Sequence, residues 1–297
     1  MKTIKVPAFI AALALLVLSC EVTVTNIQTY DVSGTAVNVR ADRDDTTWGS
    51  VLRGTVVTLT DTTSGSVRTA TVNSGGTFGW DGLPVGEYRM TAEKSGWAFV
   101  PRLIELTGRT LVLPDLLGYE STGNAIFIIS EWKNEDVDVD SYLVIDDDNF
   151  LEESLNNTGK LATVSPTFPA FGTIALDRDI TTEDIADGLP AVETIRIGAN
   201  PFSPANGAAD TTGLLKFYLH AESGTGELTG NSMVTTPIKD AQATVHVMQG
   251  TTHYGTFPVA TETDETTVMV AVIKFAGSQF FVSSPANFGD GVFLNVK

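Results

Sequence analysis

From about Tyr30 to Pro114, apolar residues recur at alternate positions in short runs, and Gly, Asn, Asp and Pro break the runs apart. A period of two places one side of an extended chain in a core and the other in water, so each run predicts a half-buried strand. The runs are Val32–Val39, Thr55–Thr60, Arg68–Val72, Thr77–Trp80, Gly86–Glu93, Ala98–Leu106 and Arg109–Leu113. Turns are expected at Asp61–Gly65, Asn73–Gly76 and Asp81–Gly86, where Gly and Asn accept backbone angles that other residues resist. Seven short strands at this spacing predict an antiparallel sandwich.

The pattern changes beyond Tyr119. Ala125–Ile129 is an unbroken apolar run, as expected of a buried strand, and alternation returns from Asp136 to Asp140 in a stretch that continues to Val144. A further element runs over Gly188–Ile197, and a strand is expected at Gly213–His220. Helical stretches are few: one near Phe150–Leu155, and one at Thr181–Ala186, where Thr181 or Thr182 would cap a turn carrying Glu183 and Asp184. The fold class expected is therefore all-β, with a smaller sandwich over residues 30–115 and a larger sandwich or jelly-roll-like domain over residues 119–297. Two domains suit the length, because single cores stop growing beyond roughly 250 residues.

The N-terminus follows a different logic. Lys2 and Lys5 precede an apolar run from Val6 to Leu18, and Ser19-Cys20 follows. That run is too short for a membrane span, which needs about 20 apolar residues, and it has the form of a secretory signal over residues 1–19. Val17-Leu18-Ser19-Cys20 resembles the bacterial lipobox, with Leu18 bulkier than the usual residue at its place. The resemblance implies a diacylglycerol on the Cys20 thiol, which becomes the new N-terminus, followed by a linker over residues 20–29. Cys20 is the only cysteine in the 297 residues, which rules out an intramolecular disulfide. Two or more acyl chains, at roughly 0.8 kcal/mol per buried CH₂, would hold the protein stably on a membrane. Glu21 is not the Asp that marks inner-membrane retention in enterobacterial lipoproteins, so the outer membrane is the expected address.

Gly54–Asp61, Gly76–Tyr88 and Glu93-Lys94-Ser95-Gly96-Trp97 together resemble the carboxypeptidase-regulatory-like and collagen-adhesin B-type modules. The resemblance implies a seven-stranded transthyretin-like sandwich, with Leu83 dropping into the core and Tyr88 facing inward, and a role as spacer, stalk or adhesion domain. Two active variants of that fold lack their residues here. The first strand has no lysine for an isopeptide crosslink, Lys94 being the segment's only one, and the segment has no histidine for hydrolase chemistry. Trp48, Trp97 and Trp132 could instead offer aromatic faces to a sugar, or pack into cores and between domains.

In the second half, Trp132, Asp138-Val139-Asp140, Leu176-Asp177-Arg178-Asp179 and Pro190-Ala191-Val192-Glu193-Thr194-Ile195 resemble, in that order, an uncharacterised bacterial envelope β-domain. Ser141-Tyr142 stands where that pattern has Leu-His, and Ala191-Val192 separates Pro190 from Glu193. Asp136, Asp138 and Asp140 alternate along one strand with successive side chains about 7 Å apart. Like charges so placed need water, arginine or a cation. Asp177, Asp179 and Glu193 could complete an oxygen cage for calcium, which takes six to eight oxygens; a solvated acidic face is the other reading. Ser141 occupies the place of the EF-hand glycine, which excludes that motif.

With 18 basic and 36 acidic residues the formal charge is −18, and losing Lys2 and Lys5 makes it more negative still. Such a surface disfavours nucleic acid and anionic lipid and leaves cations, basic proteins or neutral glycans as partners. His220, His246 and His253 have no metalloprotease spacing, His220-Ala221-Glu222 lacks a deaminase's cysteines, and there is neither a Gly-x-Ser-x-Gly elbow nor a phosphate loop. The sequence thus points to a non-catalytic binding, adhesion or structural lipoprotein. Glycan recognition is the alternative, and a paired-carboxylate hydrolase the third reading, since acids far apart in sequence can meet in space.

Overall fold

The computed structural model describes residues 28–41, 48–108, 111–121, 123–134, 136–145, 174–180, 182–186, 189–198, 212–222, 237–259, 262, 264–276 and 279–289. Cys20, its leader and the helical turn expected at Phe150–Leu155 lie outside these residues. The described chain is nearly all strand, as the alternation predicted. No helix among the described residues is long and apolar enough to cross a membrane.

The first sandwich is built from β1 (Thr29–Asn38), β2 (Val56–Asp61), β3 (Val67–Thr71), β4 (Thr77–Pro84), β5 (Gly86–Glu93), β6 (Trp97–Phe99), β7 (Arg102–Leu106), β8 (Leu111–Val112) and β9 (Leu116–Glu120). One sheet runs β3-β2-β5-β7; the other runs β4-β1-β9-β6, with β8 also paired to β1. Ala98–Leu106 is therefore two strands in two sheets rather than one. The break falls at Val100-Pro101, where proline has no N–H to continue a ladder. Leu83 and Tyr88 are buried as expected. The tyrosine hydroxyl donates to the Pro84 carbonyl at 2.9 Å, and Gly82 turns the chain at φ +65°.

The second sandwich contains β10 (Ile126–Glu131), β11 (Asp138–Ile145), β12 (Ile174–Arg178), β13 (Val192–Ile197), β14 (Thr212–Glu222), β15 (Thr244–Gln249), β16 (Thr252–Pro258), β17 (Thr267–Ala276) and β18 (Gln279–Ser283), with the short helices α1 (Thr182–Ala186) and α2 (Pro285–Gly289). Its sheets run β12-β13-β10-β15-β16 and β11-β14-β17-β18.

Alternation along β10 explains how the two sandwiches meet. Ile126 and Ile128 enter the core between the second sandwich's sheets. Phe127 and Ile129 face the other way and join Val37, Val39, Val100, Leu117 and Tyr119 of the first sandwich in a third buried cluster. The strand β9 is wedged in the same manner: Leu116 packs into the first core, whereas Leu117 and Tyr119 pack between sandwiches. It runs across the boundary expected at residues 115–119 and hydrogen bonds to β1 and β6. The result is four β layers with three apolar seams. Unbroken apolar runs occur where a strand has a seam on each face.

Candidate functional site

Two polar groupings stand out, one inside the second sandwich and one in the cleft between the two. The first begins with β11. Val137 and Val139 belong to the core, so Asp138 and Asp140 alternate with them, and both are buried. On β13 the same alternation puts Glu193 in phase with Ile195 and Ile197, which line the core. Glu193 is opposite Ser130 in the ladder, whose hydroxyl lies 3.1 Å from that of Ser141. The core thus has a polar corner.

Glu193 is 1% exposed. One of its oxygens accepts from the Ser141 N–H at 2.9 Å, and Oε1 is buried with no hydrogen-bond partner. Burial, followed by repulsion from Asp140 and a hydrogen bond shared with Asp179, pushes its carboxyl well above the usual range. Asp140, Asp179 and Glu193 each present a carboxylate oxygen, and the three oxygens lie within 4.8 Å of one another.

The other members of the expected cage go elsewhere. Asp136 precedes β11 and is exposed. Asp138 is buried but stands outside the trio. Asp177 sits at an irregularity in the β12–β13 register, and that turn of the chain gives its carboxylate to arginines, Arg40 of the first sandwich at 2.7 Å and Arg196 at 2.8 Å. The adjacent Arg178 is buried and donates to the carbonyls of Ala41 at 2.9 Å and Val192 at 3.0 Å. Leu176-Asp177-Arg178-Asp179 therefore does two jobs: its middle residues tie the second sandwich to the first, and Asp179 completes the carboxylate trio.

The second grouping lines a cleft of about 1090 Å³ to which both sandwiches contribute. At its wall Arg102 of β7 forms a two-pronged pair with Glu131 of β10, through Nη1 to Oε1 and through Nη2 to Oε2 at 2.7 Å. His246 of β15 lies 2.9 Å from Glu131 through Nε2 and 3.0 Å from the Thr256 hydroxyl through Nδ1, and His253 Nε2 is 3.0 Å from that hydroxyl. One proton arrangement satisfies these contacts: His253 donates to Thr256, Thr256 to His246 Nδ1, and His246 Nε2–H to Glu131.

Burial holds His246 below its ordinary pKa, so it is neutral at pH 7. Burial alone would raise Glu131, but hydrogen bonds from His246 and Arg102, with the arginine's charge, bring it down to about 2. Asp115, on the same wall, is raised to about 6 by burial and by Glu131, against the pull of Arg102. The sequence has no motif for this group. Its signal is phase: Arg102 is in register with the inward residues Ile104 and Leu106, a charge where an apolar side chain is expected.

The tryptophans divide differently from a surface platform. Trp132 is buried in the second core although it also touches the cleft. Trp48 packs against the seam between sandwiches, and the half-buried Trp97 against the first core.

Residues 43–112 match the carboxypeptidase regulatory-like domain. This regulatory-like domain occupies about a quarter of the chain and falls within the first sandwich. No curated protein matches the chain in sequence. Solved structures similar to it include the full-length major pilin SpaD from Corynebacterium diphtheriae (10% identity, 65% of this chain and 61% of that one, TM-score 0.25). Another is a DUF3823 family protein from Parabacteroides merdae (15%, 66% and 92%, 0.23). A third is the major pilin BcpA of Bacillus cereus (7%, 87% and 88%, 0.26). TM-scores this low carry nothing about function, and the regulatory-like domain itself names a fold module rather than an activity.

Proposed function

We propose that this chain is a lipoprotein of the bacterial cell envelope, tethered through Cys20, whose two sandwiches act together as a non-catalytic binding or adhesion module. The observation that carries this reading is the cleft. It is lined by both sandwiches, and its volume of about 1090 Å³ is on the scale of ligand pockets, about 300–1,000 Å³. Arg102 and His246 both hold Glu131 at its wall, so the Arg102–Glu131–His246 group acts as a clasp between the sandwiches.

A neutral, polyhydroxylated ligand fits best. The wall mixes donors such as Arg89 and Lys133 with acceptors such as Glu105 and the hydroxyl of Thr244, and a sugar hydroxyl can serve both. The net charge of −18 disfavours polyanions. Envelope attachment is tested by separating membranes from cells that express the wild type or Cys20→Ser and treating intact cells with protease. The wild type should stay with the membrane and C20S should not. Membrane retention of C20S would refute the tether.

A further inference from the structure

The polar corner of the second sandwich has the makings of a ligand site independent of the cleft. Its three carboxylates come from separate elements: Asp140 from β11 of one sheet, Glu193 from β13 of the other, and Asp179 from the end of β12. Mutual repulsion should drive such groups apart, yet the fold gathers an oxygen from each within 4.8 Å. Glu193 sits fully inside the core with Oε1 lacking any hydrogen-bond partner, and a buried carboxylate oxygen left so is costly unless something accepts its lone pairs.

We propose that Asp140, Asp179 and Glu193 form a calcium site that staples the two sheets of the second sandwich. The donor set selects the ion. Calcium takes six to eight oxygens at about 2.3–2.6 Å in flexible geometry and suits carboxylates drawn from separate strands, whereas magnesium demands near-ideal octahedral geometry at about 2.0–2.1 Å and sheds its waters reluctantly. The all-oxygen donor set also argues against zinc or copper, which prefer imidazole and thiolate. Three carboxylates leave further coordination positions for water, and the role that follows is structural.

The test uses the full lipoprotein in a neutral detergent, stripped with chelator and then dialysed against radioactive calcium, with melting followed in parallel. The expected result is one calcium per folded chain and a melting temperature that climbs with calcium more than with magnesium. Asp140→Asn and Asp179→Asn should each weaken binding at least tenfold, and Asp136→Asn, an exposed neighbour, should leave it unchanged. If D140N does not fold, D179N carries the comparison at a less buried position. Failure to bind calcium at millimolar concentration, or binding untouched by the substitutions at 140 and 179, overturns the assignment. Neither outcome bears on the cleft, so the two readings fail separately.

Discussion

Replacing Phe127 by Ala probes the seam that joins the sandwiches. The ring is 1% exposed, lies 4.1 Å from the Tyr119 ring at 30°, and has the Arg40 guanidinium 5.7 Å from its centre. A buried Phe removes about 150–250 Å² from water, which at about 25 cal/mol/Å² gives roughly 4–6 kcal/mol as an upper bound. Truncations of buried Phe cost about 3–5 kcal/mol, so a loss of about 4 kcal/mol is expected, a large part of a typical domain's 5–15 kcal/mol. Because Phe127 reaches from β10 onto β9, the loss should be felt in both sandwiches. Amide hydrogen exchange under rising urea reads each one separately, through β2 and β5 in the first and β14 and β17 in the second. The account expects both pairs to lose protection together in the wild type and both to shift in the variant. A shift confined to β14 and β17, or a total loss under about 1 kcal/mol, would refute the idea of a shared seam.

Three further outcomes follow from named contacts. Gly118→Ala should cost about 1–3 kcal/mol by overpacking, measured by urea unfolding, because the added Cβ would meet the Phe99 ring at 2.6 Å. Glu131 titrates near 2 in the folded chain against 4.5 otherwise; its contribution is complete above about pH 4.5 and is lost as pH falls through 2. Glu131→Gln should therefore lower stability at pH 7 by on the order of 3 kcal/mol, with the difference vanishing in strong acid. Asp115, raised from 3.8 to about 6, has the opposite sign: its effect favours the folded chain below 3.8 and is lost as pH rises through 6. Asp115→Asn should raise the melting temperature at pH 7 and leave it unchanged near pH 3, as calorimetry at the two pH values would show.

Local period carried most of the first sandwich into view, since turn residues and alternating strands are neighbours in sequence. What it could not supply was the layer beyond. Ala125–Ile129 reads as buried because each face of β10 meets an apolar seam. The equivalent run at Leu116–Tyr119 is short, follows Pro114-Asp115 and contains Gly118, so it resembles a linker until β1 and β6 are seen beside it. The acidic pattern marked the right segments, but all six acids look alike in sequence. Asp177 leaves the group because Arg40, 137 residues away, pulls it toward the first sandwich. The cleft residues Arg102, Glu131 and His246 are single charges on three strands, and only tertiary packing brings them together.

Binding of the intact lipoprotein to a glycan array, beside a Thr244→Trp variant that fills the cleft, tests the central proposal most directly. The account predicts saturable retention of a neutral glycan by the wild type, no shortened products, and loss of retention in the variant. Release of cleavage products, or retention unchanged with the cleft filled, would contradict it.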